Sequence, residues 1–292
     1  MKMRAHRWLI STCLAGLLVP GFSGAMQTAP AITQTDSWVT FAPPDEEFTA
    51  VIPGRPIART YPIYRQRDSQ QERTLAHHEY GGFGSGLIFV IHSFKAERPE
   101  RLSGSMPGLV DERAVFERIS IDGTPAELFR GTATNRVASY TKRTLRFTTA
   151  KHLYIVALMS LEENDPAVDR FLSSLRLRRP EDQVTPLESP LVAAAGGVLN
   201  ANEVTRRAII VWKSEPRYTD EARAHKVTGN VTLDAVFGDD GYVSDVTVIK
   251  GLEHGLTESA IEAARSIRFF PAQKDGKAVS QRLMLEYNFN LY

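Results

Sequence analysis

The sequence predicts an α+β protein of two small domains behind an export signal. Three observations carry this. Short runs rich in apolar and β-branched residues, bounded by Gly, Pro, Asn or Asp, recur over residues 38–177 and 206–292. Only three stretches have a helical period. Between the two patterned regions, Arg178 to about Thr205 holds Pro180, Pro186, Pro190, Ala193-Ala194-Ala195-Gly196-Gly197 and Asn200, a linker composition.

The first stretch of the chain has the form of a leader. Lys2, Arg4, His6 and Arg7 give a positive start, and an apolar run from Trp8 to Val19 follows. Ser23 and Ala25 satisfy the small-x-small cleavage rule, so the mature chain would start at Met26 in the periplasm. The apolar run is about a dozen residues, short of the roughly 20 that span a bilayer. The alternative is that this segment stays uncleaved and tethers the chain to the inner membrane. Cys13 is the one cysteine, and Ile10-Ser11-Thr12 before it make a poor lipidation box. Cleavage leaves no cysteine, so the cores must stabilise the fold without a disulfide. Residues 26–37 read as loose.

Of 292 residues, 35 are basic and 34 acidic, so no charge excess points to nucleic acid as a partner. A 42% hydrophobic and 24% charged composition is that of a globular chain.

The first domain, 38–177, opens with Trp38-Val39-Thr40-Phe41. Phe48 to Ile52 reads as a short strand stopped by Pro53-Gly54. Thr74–Tyr80 and Gly86–His92 are the next strands. Leu87-Ile88-Phe89-Val90-Ile91 is apolar on both faces, as a central strand is. Leu128–Gly131, Ser139–Phe147 and His152–Ser160 follow. Asp165 caps a helix that has Pro166 at its first position and Val168, Phe171 and Leu172 on one face. Leu175 and Leu177 close the domain as a short strand.

The last region, 206–292, predicts helix, strand, strand, helix, strand. Thr219 caps the first helix, with Asp220 and Glu221 at its positive end. Val231 to Phe237 alternates, Asp240-Gly241 turns the chain, and Tyr242 to Lys250 returns. Leu256, Ala260, Ala263, Ala264 and Ile267 form one stripe of the second helix, which Pro271 prevents from continuing. Lys274-Asp275-Gly276-Lys277 is a polar turn. Val279 to Phe289 is the last strand, with Leu283, Leu285, Tyr287 and Phe289 on one face and Arg282, Met284, Glu286 and Asn288 on the other.

Two resemblances follow. Trp38, Phe41, Phe48, Pro53-Gly54 with Pro56, the strand around Tyr154, and Phe171-Leu172-Ser173-Ser174-Leu175 resemble the PsbP-like secreted α+β domains of unknown function. Pro216-Arg217-Tyr218, Ala222, Gly229-Asn230-Val231, Asp240-Gly241 with Val243, Gly255-Leu256, Ala260 with Ala263-Ala264, and Phe269 with Pro271 resemble the TonB C-terminal domain over Arg206 to Tyr292. The chain departs from that family where Thr219, rather than proline, follows Tyr218.

The second resemblance implies protein binding in the cell envelope, with TonB-dependent outer-membrane transporters among the partners. An extended peptide would add to the small sheet as a further strand. An edge strand's unpaired backbone groups are a template for this, and Arg282 to Phe289 is the expected pairing edge. The alternative is that the same edge pairs with its own copy in a homodimer. A flexible linker of about 28 residues reaches only about 30 Å, short for a motor-driven transducer. The expected role is therefore an envelope adaptor related to energy transducers, or else a self-associating structural protein.

Other signals carry no chemistry. Gly81-Gly82-Phe83-Gly84-Ser85-Gly86 lacks the Lys-Ser/Thr of a phosphate loop and reads as a flexible hairpin loop. His77, His78, His92 and His152 lack metal-ligand spacing. Ser173-Ser174 has no base nearby in the pattern, and Asp239-Asp240 suits a turn. No enzyme activity, cofactor or metal is expected.

Overall fold

The computed structural model describes residues 38–54, 56–68, 71–102, 115–135, 137–178 and 197–291, with backbone alone for 61–75 and 101. The expected signal at 1–25, the loose segment at 26–37 and most of the expected linker lie outside the described residues. Those described fall within one compact unit, Ile32–Tyr292.

In chain order the strands of the first half are β1 (Trp38–Phe41), β2 (Phe48–Pro53), β3 (Ile57–Asp68), β4 (Gln71–Gly84), β5 (Leu87–Lys95), β6 (Phe116–Ile121), β7 (Thr124–Thr134), β8 (Ser139–Thr148) and β9 (His152–Ser160). Helix α1 (Pro166–Ser174) and β10 (Arg176–Leu177) complete it. Seven strands form one antiparallel sheet in the order β3-β4-β5-β9-β8-β7-β6. Its centre is β5 and β9, buried along nearly their whole length. On one face, β1, β2, β10 and α1 cover Phe89, Tyr154, Val156 and Leu158. Asp165 caps α1 by accepting from Ala167 N at 2.8 Å, as its sequence predicts.

The strap before β2 is tied down by two acids. Glu46 is fully buried and accepts from Tyr80 Oη (2.9 Å), Tyr154 Oη (2.9 Å) and Ser93 Oγ (2.7 Å), and pairs with His78 Nδ1 at 3.0 Å. Glu47 meets His152 Nδ1 at 3.0 Å and the Thr149 hydroxyl. Hydrogen bonding to Thr149, His152 and the Lys151 amide holds the Glu47 carboxyl below its ordinary range, although burial itself pulls it upward. His78 and His152 are thus each bound to one of these acids, and no metal-binding cluster occurs among the described residues.

The C-terminal module contains β11 (Ile209–Trp212), α2 (Asp220–Ala224), β12 (Gly229–Phe237), β13 (Val243–Lys250), α3 (Leu256–Arg265), β14 (Arg268–Phe270), β15 (Ala272–Lys274), β16 (Lys277–Val279) and β17 (Gln281–Phe289). The expected order of helix, strand, strand, helix, strand holds for α2, β12, β13, α3 and β17. The main sheet is β13-β12-β17, antiparallel throughout. The alanine stripe of α3 and Leu256 are buried on it with Phe237, Leu285 and Tyr287.

Two expectations are corrected. Gly81-Gly82-Phe83-Gly84 is not a loop but the end of β4, paired with Leu87–Val90; the turn is confined to Ser85-Gly86. Small residues are needed there, because a Cβ at Gly84 would lie 3.0 Å from Pro53 and one at Gly81 3.3 Å from Phe89 O. The last strand does not run unbroken from Val279. Lys277–Val279 pairs with Ala272–Lys274, and the chain breaks at buried Ser280 before β17. The described ends of the expected linker are also tied down. Arg178 N donates to Glu47 O, Leu199 N to Ser280 O, and Thr205 N to Gln273 O.

Glu46→Ala should lower unfolding free energy by about 3 kcal/mol or more, because it leaves buried hydroxyls without their acceptor. Urea denaturation checks this, and a loss below about 1 kcal/mol would contradict the bonding described.

Candidate partner-binding edge and the seam beside it

Strand β17 is built by alternation. Leu285, Tyr287 and Phe289 enter the module core, while Arg282, Met284, Glu286 and Asn288 face outward. Tyr218 packs edge-on against Phe289 and donates its hydroxyl to Val227 O. The outer face is mostly polar and bonded: Arg282 Nη1 to Asp234 Oδ2 at 2.7 Å, Asn288 Nδ2 to Asn230 Oδ1 at 2.6 Å, and Asn230 to Glu286. Met284 stands apart on it at 72% exposure.

In the sheet plane, β17 pairs with β12 from Gly229↔Phe289 to Phe237↔Gln281 and has no strand on its other side among the described residues. Its outward backbone groups can be identified. Arg282 N donates to Leu199 O at 3.0 Å, so even-numbered residues point away from β12. That contact closes the edge at Arg282. Beyond it, Lys213 Nζ donates to Glu286 O at 2.9 Å and lies 4.2 Å from the Tyr287 ring centre. Desolvation lowers the Lys213 pKa, opposed by Glu215 and Glu286. Burial raises the Tyr287 pKa, helped by Glu215, and the Tyr287 hydroxyl has no hydrogen-bond partner among the described residues.

The motif residues serve other ends. Ala222, Phe269 and the ring of Tyr218 pack the module core. Pro271 follows β14 and precedes β15, and Pro216 lies in the extended stretch before α2. Gly229 has φ +142°, with Leu252 3.2 Å from where a Cβ would sit. Gly241, at φ +84°, touches the first half of the chain: a Cβ there would run into Phe83. The structure therefore gathers the expected edge residues on one strand and distributes the motif residues through the scaffold behind it.

Sequence reasoning missed the seam between the two halves. The sheet face opposite α1 carries Ile88, Val90, Ala157, Met159 and Tyr140, and these pack with Ile209 and Phe270 of the module. Arg268, buried, pairs with buried Glu79 of β4, and Arg59 Nη1 lies 3.9 Å from the same carboxylate. Tyr242 donates to Gly81 O and accepts from Ile57 N at 3.1 Å. Asn135 Nδ2 and Tyr140 Oη donate to the carbonyls of Ile210 and Val211 at 2.7 and 3.0 Å. The one local signal was a charged residue, Arg268, set before Phe269-Phe270 in a short strand.

Two histidines line this seam. His77 Nε2 and His92 Nδ1 are 3.0 Å apart, and His92 Nδ1 is 3.7 Å from Glu79. Burial, then the neighbouring His92, lowers His77 to about 4. Burial, then Arg268 and Lys142, lowers His92 to about 3.

The fold and edge define the module's class: a small α+β domain that presents one open strand beside a polar sheet face. Residues 214–291 match the family model described as the Gram-negative bacterial TonB protein C-terminal, so this module is a TonB C-terminal domain and the chain carries an envelope-type module. No curated protein matches the chain. A crystal structure from Bacteroides thetaiotaomicron VPI-5482 aligns at 11% identity and a TM-score of 0.31, over 64% of this chain and 56% of its own length. No helix among the described residues is long and apolar enough to cross a membrane.

Arg268→Ala should cost about 3–5 kcal/mol, since it strands the Glu79 charge in the seam. Adding Glu79→Leu should recover part of the loss, and equal stability of the single and double variants in urea would contradict the pairing. Acid should also weaken the fold. Both histidines titrate lower folded than unfolded, so the unfolded chain binds more protons between about 6.5 and 4. Melting temperature should fall as pH drops through that window, and less steeply in His77→Phe, whose ring can keep the stack on Phe94. Identical slopes in the two proteins would count against this.

Proposed function

We propose that the chain is a periplasmic envelope adaptor related to the energy transducers of TonB-dependent transport, and that it binds partner proteins by strand addition to β17. One observation carries this reading: β17 is an edge of the β13-β12-β17 sheet, with outward backbone groups beyond Arg282 and an exposed Met284. TonB-dependent outer-membrane transporters are the first partners to examine. The role proposed is binding. The charged and hydroxyl groups around Glu46, Glu47 and Glu79 bond one another in the interior. The domain division at 38–177 and 206–292 belongs to the same reading. The seven-stranded antiparallel sheet with α1 on one face supports a PsbP-like shape for the first half.

Site-specific photo-crosslinking in cells tests this. A benzophenone side chain at Met284 should give an adduct with an envelope protein. The same group at Ile249, 60% exposed on the far edge strand, should not. Equal adducts from both positions, or none from Met284, would argue against the edge.

A further inference from the structure

The free part of the β17 edge is short and already has an occupant. Leu199 closes it at Arg282, which leaves the outward amides and carbonyls of Met284, Glu286 and Asn288. The middle acceptor of these three, Glu286 O, is taken by the Lys213 ammonium. An incoming strand needs that carbonyl for one of its own N–H groups. Lys213 therefore competes for that carbonyl with any strand that pairs across the whole stretch.

The same stretch is ill suited to self-pairing. The antiparallel arrangement of two copies that uses all three outward residues is centred on Glu286. It sets Glu286 directly opposite its own copy and brings two Lys213 ammoniums to the same pair of carbonyls. Like charges directly opposed across a ladder destabilise it.

We propose that Lys213 is a displaceable guard on the β17 edge, and that the guarded edge takes an extended segment of another protein over Met284–Asn288 while refusing a second copy of its own chain. This rests on the reading of β17 as the partner-binding strand. The partner is a stretch of about five residues in β conformation, which is what the open register accommodates. Guarding suits an edge that would otherwise be a standing template for aggregation.

The test uses the full chain. A random heptapeptide phage library is panned against it, and the most enriched peptide is labelled and titrated by fluorescence anisotropy. The same peptide N-methylated at alternate amides serves as control, so the backbone requirement is probed without altering the protein. We expect binding that N-methylation abolishes, about fivefold tighter binding to Lys213→Ala because a competing hydrogen bond is gone, and loss of binding in Met284→Pro. Sedimentation should show the wild type as a monomer. If N-methylation abolishes binding but Lys213→Ala binds equally or more weakly, the guard is overturned while strand addition stands. If the N-methylated peptide binds as well as the parent, or no peptide is enriched, the edge reading fails and takes the guard with it. A dimer in sedimentation overturns the exclusion of self-pairing.

Discussion

The pairing of Glu79 with Arg268 is the constraint on which the relation between the two halves depends. Glu79 lies on β4, one strand in from the edge of a wide sheet, on the face that α1 does not cover. Left alone, a buried carboxylate there is costly. The module supplies the counter-charge from β14, a strand of only three residues whose other side chains, Phe269 and Phe270, pack in two different hydrophobic clusters. One short strand thus joins the module core, the apolar seam and the ionic contact. The Arg268 guanidinium packs against Gly81, where a Cβ would sit 3.7 Å from it and a tighter 3.3 Å from Phe89 O.

Docking through β11, β14 and the β12–β13 turn uses one side of the module and leaves the β17 edge out of the seam. The polar bonds on the outer face of β17 hold its side chains in place, so the strand is rigid where its backbone is open. A preorganised edge of this kind loses little entropy when a strand is added. Lys213 then works on the backbone rather than on a side chain, which separates control of the edge from whatever the partner's side chains select.

Much of this could be read locally. The β9 run, the Asp165 cap of α1, and the alternation of Leu283, Leu285, Tyr287 and Phe289 announce their elements because each signal lies within a few residues. The edge strand was legible for the same reason. Other features were not. Residues 57–68 are rich in arginine and other polar residues and carry no apolar alternation to mark a strand, yet they form β3 by backbone pairing to β4. The glycines at 81–84 imitate a loop because the residue that crowds Gly84, Pro53, is remote in sequence. Glu79 and Arg268 stand 189 residues apart, and Lys213 and Glu286 stand 73 apart. No window along the chain contains either pair.

The Glu46–Glu47 strap has a bearing on how the protein assembles. Its anchors, Tyr154 and His152, lie 108 and 105 residues further along the chain. Glu46 lacks its bond to Tyr154, and Glu47 its bond to His152, until β9 has joined the sheet, and contacts of such long separation form slowly because a large loop must close first. The strap and the small sheet it carries therefore lock late. Until they do, the aromatic cluster of Phe41, Phe48, Tyr80 and Tyr154 stands open on one side. The early chain is thus exposed to misassociation at this apolar face, and the two buried acids are its final latch.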